Sequence, residues 1–301
     1  MTKNTYTYKI GFIKEKVEEY TNMQKIGYLG PSGTFTEEAA LTVKESYPGE
    51  IFGFRDIPEL ILAVQNGDID SAVVPIENVI EGTVNLTVDM LAHEVDLQII
   101  AERTIPIHQC LVAKPGVNKE DIIEIISHPQ ALAQCRRFLT ANFPDVPTAS
   151  ISSTAAGAKK VRDSHLPLAA IANKRAAQLF GLRILAENIE DYINNCTRFV
   201  LLSRCSALPT GEDKTSIVFS VSDEPGSLLR ALEIFAQRNI NLTRIESRPM
   251  RTRMGQYLFF VDFEGHCQDK KVSDALASVR AISTFYKHLG SYPVIKDEKQ
   301  V

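Results

Sequence analysis

KIGYLGPSGTFTE, residues 25–37, joins a short apolar strand to a helix through a turn of glycine, proline and serine. The helix start is marked by Thr34-Phe35-Thr36-Glu37. Thr34 at the cap position accepts the Glu37 amide proton, and the Glu37 carboxylate reaches back to another free N–H. A strand feeding a capped helix is half of an α/β unit, and the chain repeats it. IGYL, IFGF, SAVVP, LQIIAE and IIEIIS read as strands, and helices open after Thr34, Asp56 and Pro129.

The texture changes near residue 206, where the polar run SALPTGEDK marks a domain boundary. Beyond it, Ile217, Phe219 and Val221 alternate, as do Tyr257, Phe259, Val261 and Phe263, which predicts two half-buried strands. Leu228, Ala231, Leu232 and Phe235 fall at i, i+3, i+4 and i+7, one apolar face of a helix. A strand over Asn241–Pro249, a helix near Val272–Val279 and a last strand near Thr284–Leu289 complete β-α-β-β-α-β, the ferredoxin-like order.

Composition narrows the function. With 301 residues, 44% hydrophobic and 23% charged, the chain is globular and long enough for two or three domains. A net charge of −4 offers no long-range attraction to nucleic acid or anionic membrane. No apolar run is long enough to span a membrane, and the N-terminus lacks a signal-peptide core. The five cysteines are odd in number, widely spaced and without a Cys-x-x-Cys pair of the kind that binds zinc or runs redox exchange, so a reducing cytoplasm is expected. Residues 1–24 read as an N-terminal extension, with an amphipathic helix over Ile13–Tyr20 as one reading of its pattern.

Four polar clusters stand at predicted strand ends, where open α/β sheets bind ligands. Gly30-Pro31-Ser32-Gly33-Thr34 lacks the Gly-Lys-Ser/Thr ending of a nucleotide loop; it is either a tight turn or, through its amides and hydroxyls, a carboxylate site. Pro75-Ile76-Glu77-Asn78 follows the strand Ser71–Val74 and can face a cleft. Ser127-His128-Pro129-Gln130 closes another strand and opens a helix, with Gln134 one turn inside; His128 has no metal-ligand partner at suitable spacing and reads as a helix cap. Asn194-Asn195-Cys196-Thr197-Arg198-Phe199 precedes an apolar strand, Phe199–Leu202. Cys196 has no assignable base and reads as a packing residue.

In this order, GYLGPSGTF, VVPIENVIEGTV, SHPQALAQC, STAAGA, NCTRF, EPGSLLRALEIF and INLTRIESRP resemble prephenate dehydratase with an attached ACT domain, from Lys25 to about Ser291. The resemblance implies an α/β catalytic region of two lobes, like the periplasmic type II binding proteins, followed by a ferredoxin-like ACT domain. The expected organisation is an extension (1–24), a catalytic domain (25–205, second lobe about 103–190), a linker (206–213), the ACT domain (214–291) and a polar tail (292–301). The 24 residues before the first strand are too few for a fused chorismate mutase domain.

The resemblance further implies conversion of prephenate to phenylpyruvate, carbon dioxide and water without a cofactor. It places the key hydroxyl at Thr197, with Glu77, Asn78, Ser127 and Gln134 as further catalytic residues. Thr34, Thr154, Arg198 and Phe199 are added as substrate-binding residues. Arg198 either holds a substrate carboxylate or braces the cleft. L-phenylalanine is the implied allosteric ligand, at Gly226, Ser227, Leu228, Asn241, Leu242, Glu246, Ser247, Arg248 and Pro249 of paired ACT domains in a homodimer or homotetramer. Two departures stand out. Val79 occupies a position where the family commonly has Ser, which predicts altered substrate affinity with activity retained. Gly226-Ser227-Leu228 replaces Gly-Ala-Leu and keeps the glycine. The rival readings are the same chemistry on arogenate, and a catalytically silent amino-acid sensor, against which the intact Thr197-Arg198-Phe199 argues.

Overall fold

The computed structural model describes residues 25–250 and 256–295. The N-terminal extension, its Ile13–Tyr20 helix and residues 296–301 of the expected tail lie outside the described residues. The chain forms two compact units. The first takes in the described residues up to Leu60, Val73–Val84 and Thr104–Phe199; the second takes in Ile61–Ala72, Asn85–Arg103 and the residues from Val200 on.

The elements up to the first return of the chain are β1 (Lys25–Leu29), α1 (Phe35–Ser46), β2 (Glu50–Phe54), α2 (Ile57–Asn66), β3 (Ser71–Asn78), β4 (Gly82–Thr83), α3 (Asn85–His93) and β5 (Gln98–Pro106). In the first unit β1 pairs in parallel with β2, Tyr28 opposite Gly53, and β3 lies on the other side of β1. The capping box at α1 is formed: Glu37 N–H donates to Thr34 Oγ1 (3.3 Å), and Gly33 N–H donates to Glu37 Oε2 (2.8 Å). Strand β3 runs four residues past Val74, through Pro75 to Asn78. It is prolonged because the β4 hairpin folds back on it, with Asn78 opposite Gly82.

A separate five-stranded sheet is built from β6 (Cys110–Ala113), β7 (Glu124–Ser127), α4 (Pro129–Gln134), α5 (Arg136–Asn142), β8 (Thr148–Ser150), α6 (Thr154–Asp163), β9 (Leu168–Ala172), α7 (Lys174–Leu179) and β10 (Arg183–Ala186). Its order is β10-β6-β9-β7-β8, with β7 parallel to β8 and β9 and β6 antiparallel to β9 and β10. Helices cover both faces. Leu111, Ile125 and Ile171 meet Ala131 and Leu139 on one side, and Val112, Ile126 and Ala170 meet Ala158, Val161 and Ala176 on the other. Burial on both faces explains why β9 is an unbroken apolar run, Leu-Ala-Ala-Ile-Ala.

The chain returns through β11 (Cys196–Ser203), whose first half belongs to the first unit and lies beside β3. β11 begins three residues before the expected Phe199, so the Cys-Thr-Arg-Phe cluster is part of the strand rather than a loop before it. The strand orders β2-β1-β3-β11-β5 and β8-β7-β9-β6-β10 repeat one pattern, which is the two-lobed α/β architecture of type II binding proteins.

In the second unit follow β12 (Asp213–Ser220), α8 (Ser227–Ala236), β13 (Leu242–Pro249), β14 (Tyr257–Glu264), α9 (Lys270–Ile282) and β15 (Phe285–Ile295). The sheet order β13-β14-β12-β15 is ferredoxin-like, and both helices cover one face through Ile217, Phe219, Phe235, Phe263, Val272 and Val279. The expected half-burial of β12 is not what is found. Ser216 and Val218 on its opposite face are as fully buried as Ile217 and Phe219, beside Phe260 and Tyr292. β15 also runs past Ser291, to Ile295, because its end pairs in parallel with β5, Val294 opposite Glu102.

Gly290 makes that pairing possible. It sits where the β12–β15 register shifts, at φ +143°, and a Cβ there would lie 2.2 Å from the Ile99 carbonyl oxygen of β5. Gly290→Ala therefore combines backbone strain with an overlap against main chain that cannot rotate away. Its expected cost is about 3 kcal/mol, read as a lower urea midpoint. Gly211→Ala, at φ +96° but in open space, is expected to cost about 1 kcal/mol.

Candidate active site

The site is assembled where the ends of β3 and β11 meet the second chain crossing between the two lobes. Asn78 is the node. Its Oδ1 accepts the N–H groups of Ile80 (3.0 Å) and Glu81 (3.1 Å), which fixes which end of the amide carries hydrogen. Nδ2 then faces three oxygens: Asn195 Oδ1 at 2.9 Å, the Cys196 carbonyl at 3.1 Å and Thr197 Oγ1 at 2.9 Å. Because the Thr197 oxygen accepts from Asn78, its own proton is directed to another acceptor.

Asn195 carries this network to the second lobe. Its Nδ2 donates to Gln134 Oε1 (3.3 Å) on α4, and its carbonyl accepts the Ile107 N–H (2.8 Å) of the first crossing. Asn195 is fully buried, whereas Gln134 Nε2 is a buried donor with no hydrogen-bond partner among the described residues. The two crossings are clamped beside it: Glu190 accepts from the Gln109 N–H (2.9 Å) and lies 2.8 Å from His108 Nδ1. Asn195 is the site residue that sequence reasoning missed; the signal was the Asn-Asn pair before Cys196, read only as part of a polar cluster.

Glu77 and Arg198 form a second pair, Arg198 Nη1 to Glu77 Oε2 at 3.3 Å. They neighbour Asn78 and Thr197 in sequence, so strand alternation puts the two pairs on opposite faces of β3 and β11. Arg198 thus braces Glu77. Val79, in the position of the family's common Ser, points its side chain into solvent, while its N–H donates to the Cys196 carbonyl (3.0 Å), a bond indifferent to side-chain identity.

Other expected residues have their hydrogen-bonding capacity engaged by the fold. Thr34 Oγ1 donates to the Leu29 carbonyl (3.1 Å), and the Gly33 N–H is taken by Glu37, so this turn holds its own carboxylate rather than a ligand's. Ser127 is fully buried and donates to the Ile171 carbonyl (2.7 Å), tying β7 to β9. Phe199 lies in the core. His128 caps α4, its Nδ1 accepting the Gln130 N–H (3.3 Å). Thr154 begins α6, but the cap is Ser153.

Ser152 and Ser153 border a cavity of about 630 Å³ together with Tyr28 and Arg55, and with Gly30, Pro31 and Ser32 of the turn singled out in the sequence. Burial pushes the Tyr28 phenol up, so it stays protonated; it donates to Glu37 Oε1 (3.4 Å) and lies 3.0 Å from Ser32 Oγ. Burial also raises the Cys110 and Cys135 thiols, which makes them poor nucleophiles. Among the described residues, no cluster of three or more His, Cys, Asp or Glu side chains is placed to hold a metal ion, and no helix is long and apolar enough to cross a membrane.

In the ferredoxin-like domain, Gly226 caps α8 at φ +81°. The buried Ser227 hydroxyl lies 3.1 Å from Ser222 Oγ and accepts from Arg230 Nη2 (2.8 Å). Phe219 and Ser247 both register on Phe259, so the Gly226 turn and the Glu246–Pro249 end of β13 share one edge of the sheet, two strands or ~10 Å apart. Leu228 and Leu242 pack into the core. Asn241 lies beyond the other end of α8, a helix ~15 Å long, and donates to Glu264 (3.0 Å) beside a polar cavity of about 510 Å³. Glu246 is paired with Arg244, Ser247 and Pro249 are exposed, and Arg248 is bonded to Asn85 and Asp89 of α3.

Two family models match the chain: prephenate dehydratase over residues 26–207 and the ACT domain over residues 215–281. Prephenate dehydratase of Bacillus subtilis is 40% identical over 280 residues, covering 89% of this chain and 98% of the relative. Prephenate dehydratase from Arthrobacter aurescens, solved in complex with L-Phe, superposes with a TM-score of 0.82 at 40% identity, covering 89% of each chain. GqqA, described as a novel type of quorum quenching acylase, superposes with a TM-score of 0.79 at 30% identity, covering 90% of this chain and 98% of its own.

Asn195→Ala removes an acceptor from Asn78 and a donor from Gln134, both buried. The expected destabilisation is about 1–3 kcal/mol, measured by urea unfolding with the m-value unchanged.

Proposed function

The chain belongs to the prephenate dehydratase family, and we propose that Thr197 is the residue that donates a proton toward the departing ring hydroxyl of its substrate. The activity is that of the family, a decarboxylating dehydration that turns prephenate into phenylpyruvate, carbon dioxide and water, with an ACT domain under control by L-phenylalanine. Losing carbon dioxide and the ring hydroxyl together creates an aromatic ring. The enzyme's task is therefore to orient a dianion and supply a proton to the leaving oxygen.

The observation that carries the assignment is the direction of one hydrogen bond. Asn78 Nδ2 donates to Thr197 Oγ1, leaving the hydroxyl hydrogen available as a donor. The same bond polarises the O–H without ionising it, which suits a hydrogen bond to the leaving oxygen at neutral pH. Gln134, whose Nε2 has no hydrogen-bond partner among the described residues, contributes a second donor.

The catalytic domain spans 25–205 with its second lobe at about 103–190, joined through 206–213 to a regulatory domain from 214. The enzyme works in the cytoplasm as a homodimer or homotetramer, and phenylalanine binds between the Gly226 turn of one ACT domain and the Glu246–Pro249 segment of another. Prephenate is favoured over arogenate as the substrate on the strength of the relatives' names.

Thr197→Val keeps the size of the side chain and removes the proton. It is expected to fold normally and to lower kcat by ~10² to 10⁴, followed as phenylpyruvate absorbance from prephenate, with arogenate assayed in parallel. Near-normal turnover would remove the assignment.

A further inference from the structure

Arg248 belongs to the Glu246–Pro249 segment that is assigned above to phenylalanine, but its guanidinium is engaged elsewhere. Nη2 lies 3.3 Å from both carboxylate oxygens of Asp89, and Nη1 donates to Asn85 Oδ1. Asp89 is buried on α3 and Asn85 is the first residue of that helix, at the surface. The strand that ends at the proposed ligand site therefore grips a helix of the catalytic domain.

The helix leads by covalent continuity to the active site. Val84, the residue before Asn85, donates its N–H to the Ile76 carbonyl (2.9 Å) on β3, and Glu77 and Asn78 follow Ile76 directly. Within the second unit other bonds also tie the regulatory sheet to the segment 85–103: Lys214 to the buried Glu102 (2.7 Å), Lys287 to the Val95 carbonyl (2.5 Å), and β15 to β5. Those anchors lie on β12 and β15. Arg248 lies on the edge strand β13.

We infer that Arg248 is a coupling residue rather than a ligand contact: phenylalanine at the end of β13 alters its hold on Asn85 and Asp89, and α3 passes the displacement to the β3–β4 hairpin that carries Glu77 and Asn78. This rests on the reading that phenylalanine binds at that segment. Coupling between sites is a difference in free energy between two arrangements, so cutting the link removes inhibition without removing the ligand site. A merely structural role for the ion pair would lower stability and leave the coupling intact.

The test uses the full chain with Asn85→Ala and Asp89→Asn. Phenylalanine binding is followed by calorimetry and turnover is titrated against phenylalanine. Asn85 is exposed, so its variant folds even if Asp89→Asn does not. The wild-type enzyme is expected to bind phenylalanine and to be inhibited. The variants are expected to bind it while the maximal inhibition falls from a coupling of roughly 5- to 150-fold toward none. Variants inhibited as fully as the wild type would overturn the inference alone. A wild-type enzyme that does not bind phenylalanine would overturn the reading beneath it as well.

Discussion

The amide of Asn78 is the constraint around which the active site is organised. Its oxygen is held by two main-chain N–H groups of its own hairpin, so its two hydrogens must be satisfied by a segment 117 to 119 residues further on. A buried amide without acceptors is costly. The bonds to Asn195, Cys196 and Thr197 therefore hold β11 in one register against β3. The same bonds fix the polarity of the Thr197 hydroxyl and place Asn195 where it can reach Gln134 on the other lobe. Strand pairing and lobe connection thus run through one side chain, whose two N–H hydrogens are shared among three oxygens of β11 and its approach.

The fold was largely legible because period and punctuation report local structure. Alternation of apolar residues and the Thr34 capping box depend on near neighbours in sequence, and the strands and the cap they mark are formed. What was not legible depends on distant neighbours. β3 continues through Pro75 because a hairpin and β11 pair with its end. β12 is buried on both faces although its Ser216 is polar, since Ser216 Oγ finds Asp262 (2.6 Å) and Tyr292 (2.5 Å). A serine in a strand reads as solvent-facing until its partners are known.

The same distinction explains the site. Residue type and position at a strand end picked out Asn78, Thr197 and Gln134, which the structure links through one network. They could not distinguish a hydroxyl aimed at a ligand from one already bonded to a carbonyl, as at Thr34 and Ser127. Nor could they identify Asn195, because its importance lies in joining two residues that have no sequence relation to it. Arg198 was left between two roles by its chemistry alone; its partner Glu77, 3.3 Å away on the neighbouring strand, has no sequence relation to it.

The regulatory domain is attached in two mechanically different ways. At β15 the attachment is main chain to main chain, admitted by the missing Cβ of Gly290, and reinforced by Lys214 reaching the buried Glu102. Close-packed backbone of this kind deforms little, because interiors pack as tightly as crystals. At β13 a long side chain, that of Arg248, is bonded to helix α3. A perturbation at the end of β13 therefore finds a stiff anchor at β15 and a compliant one at Arg248. The helix that Arg248 holds opens directly out of the hairpin bearing Asn78.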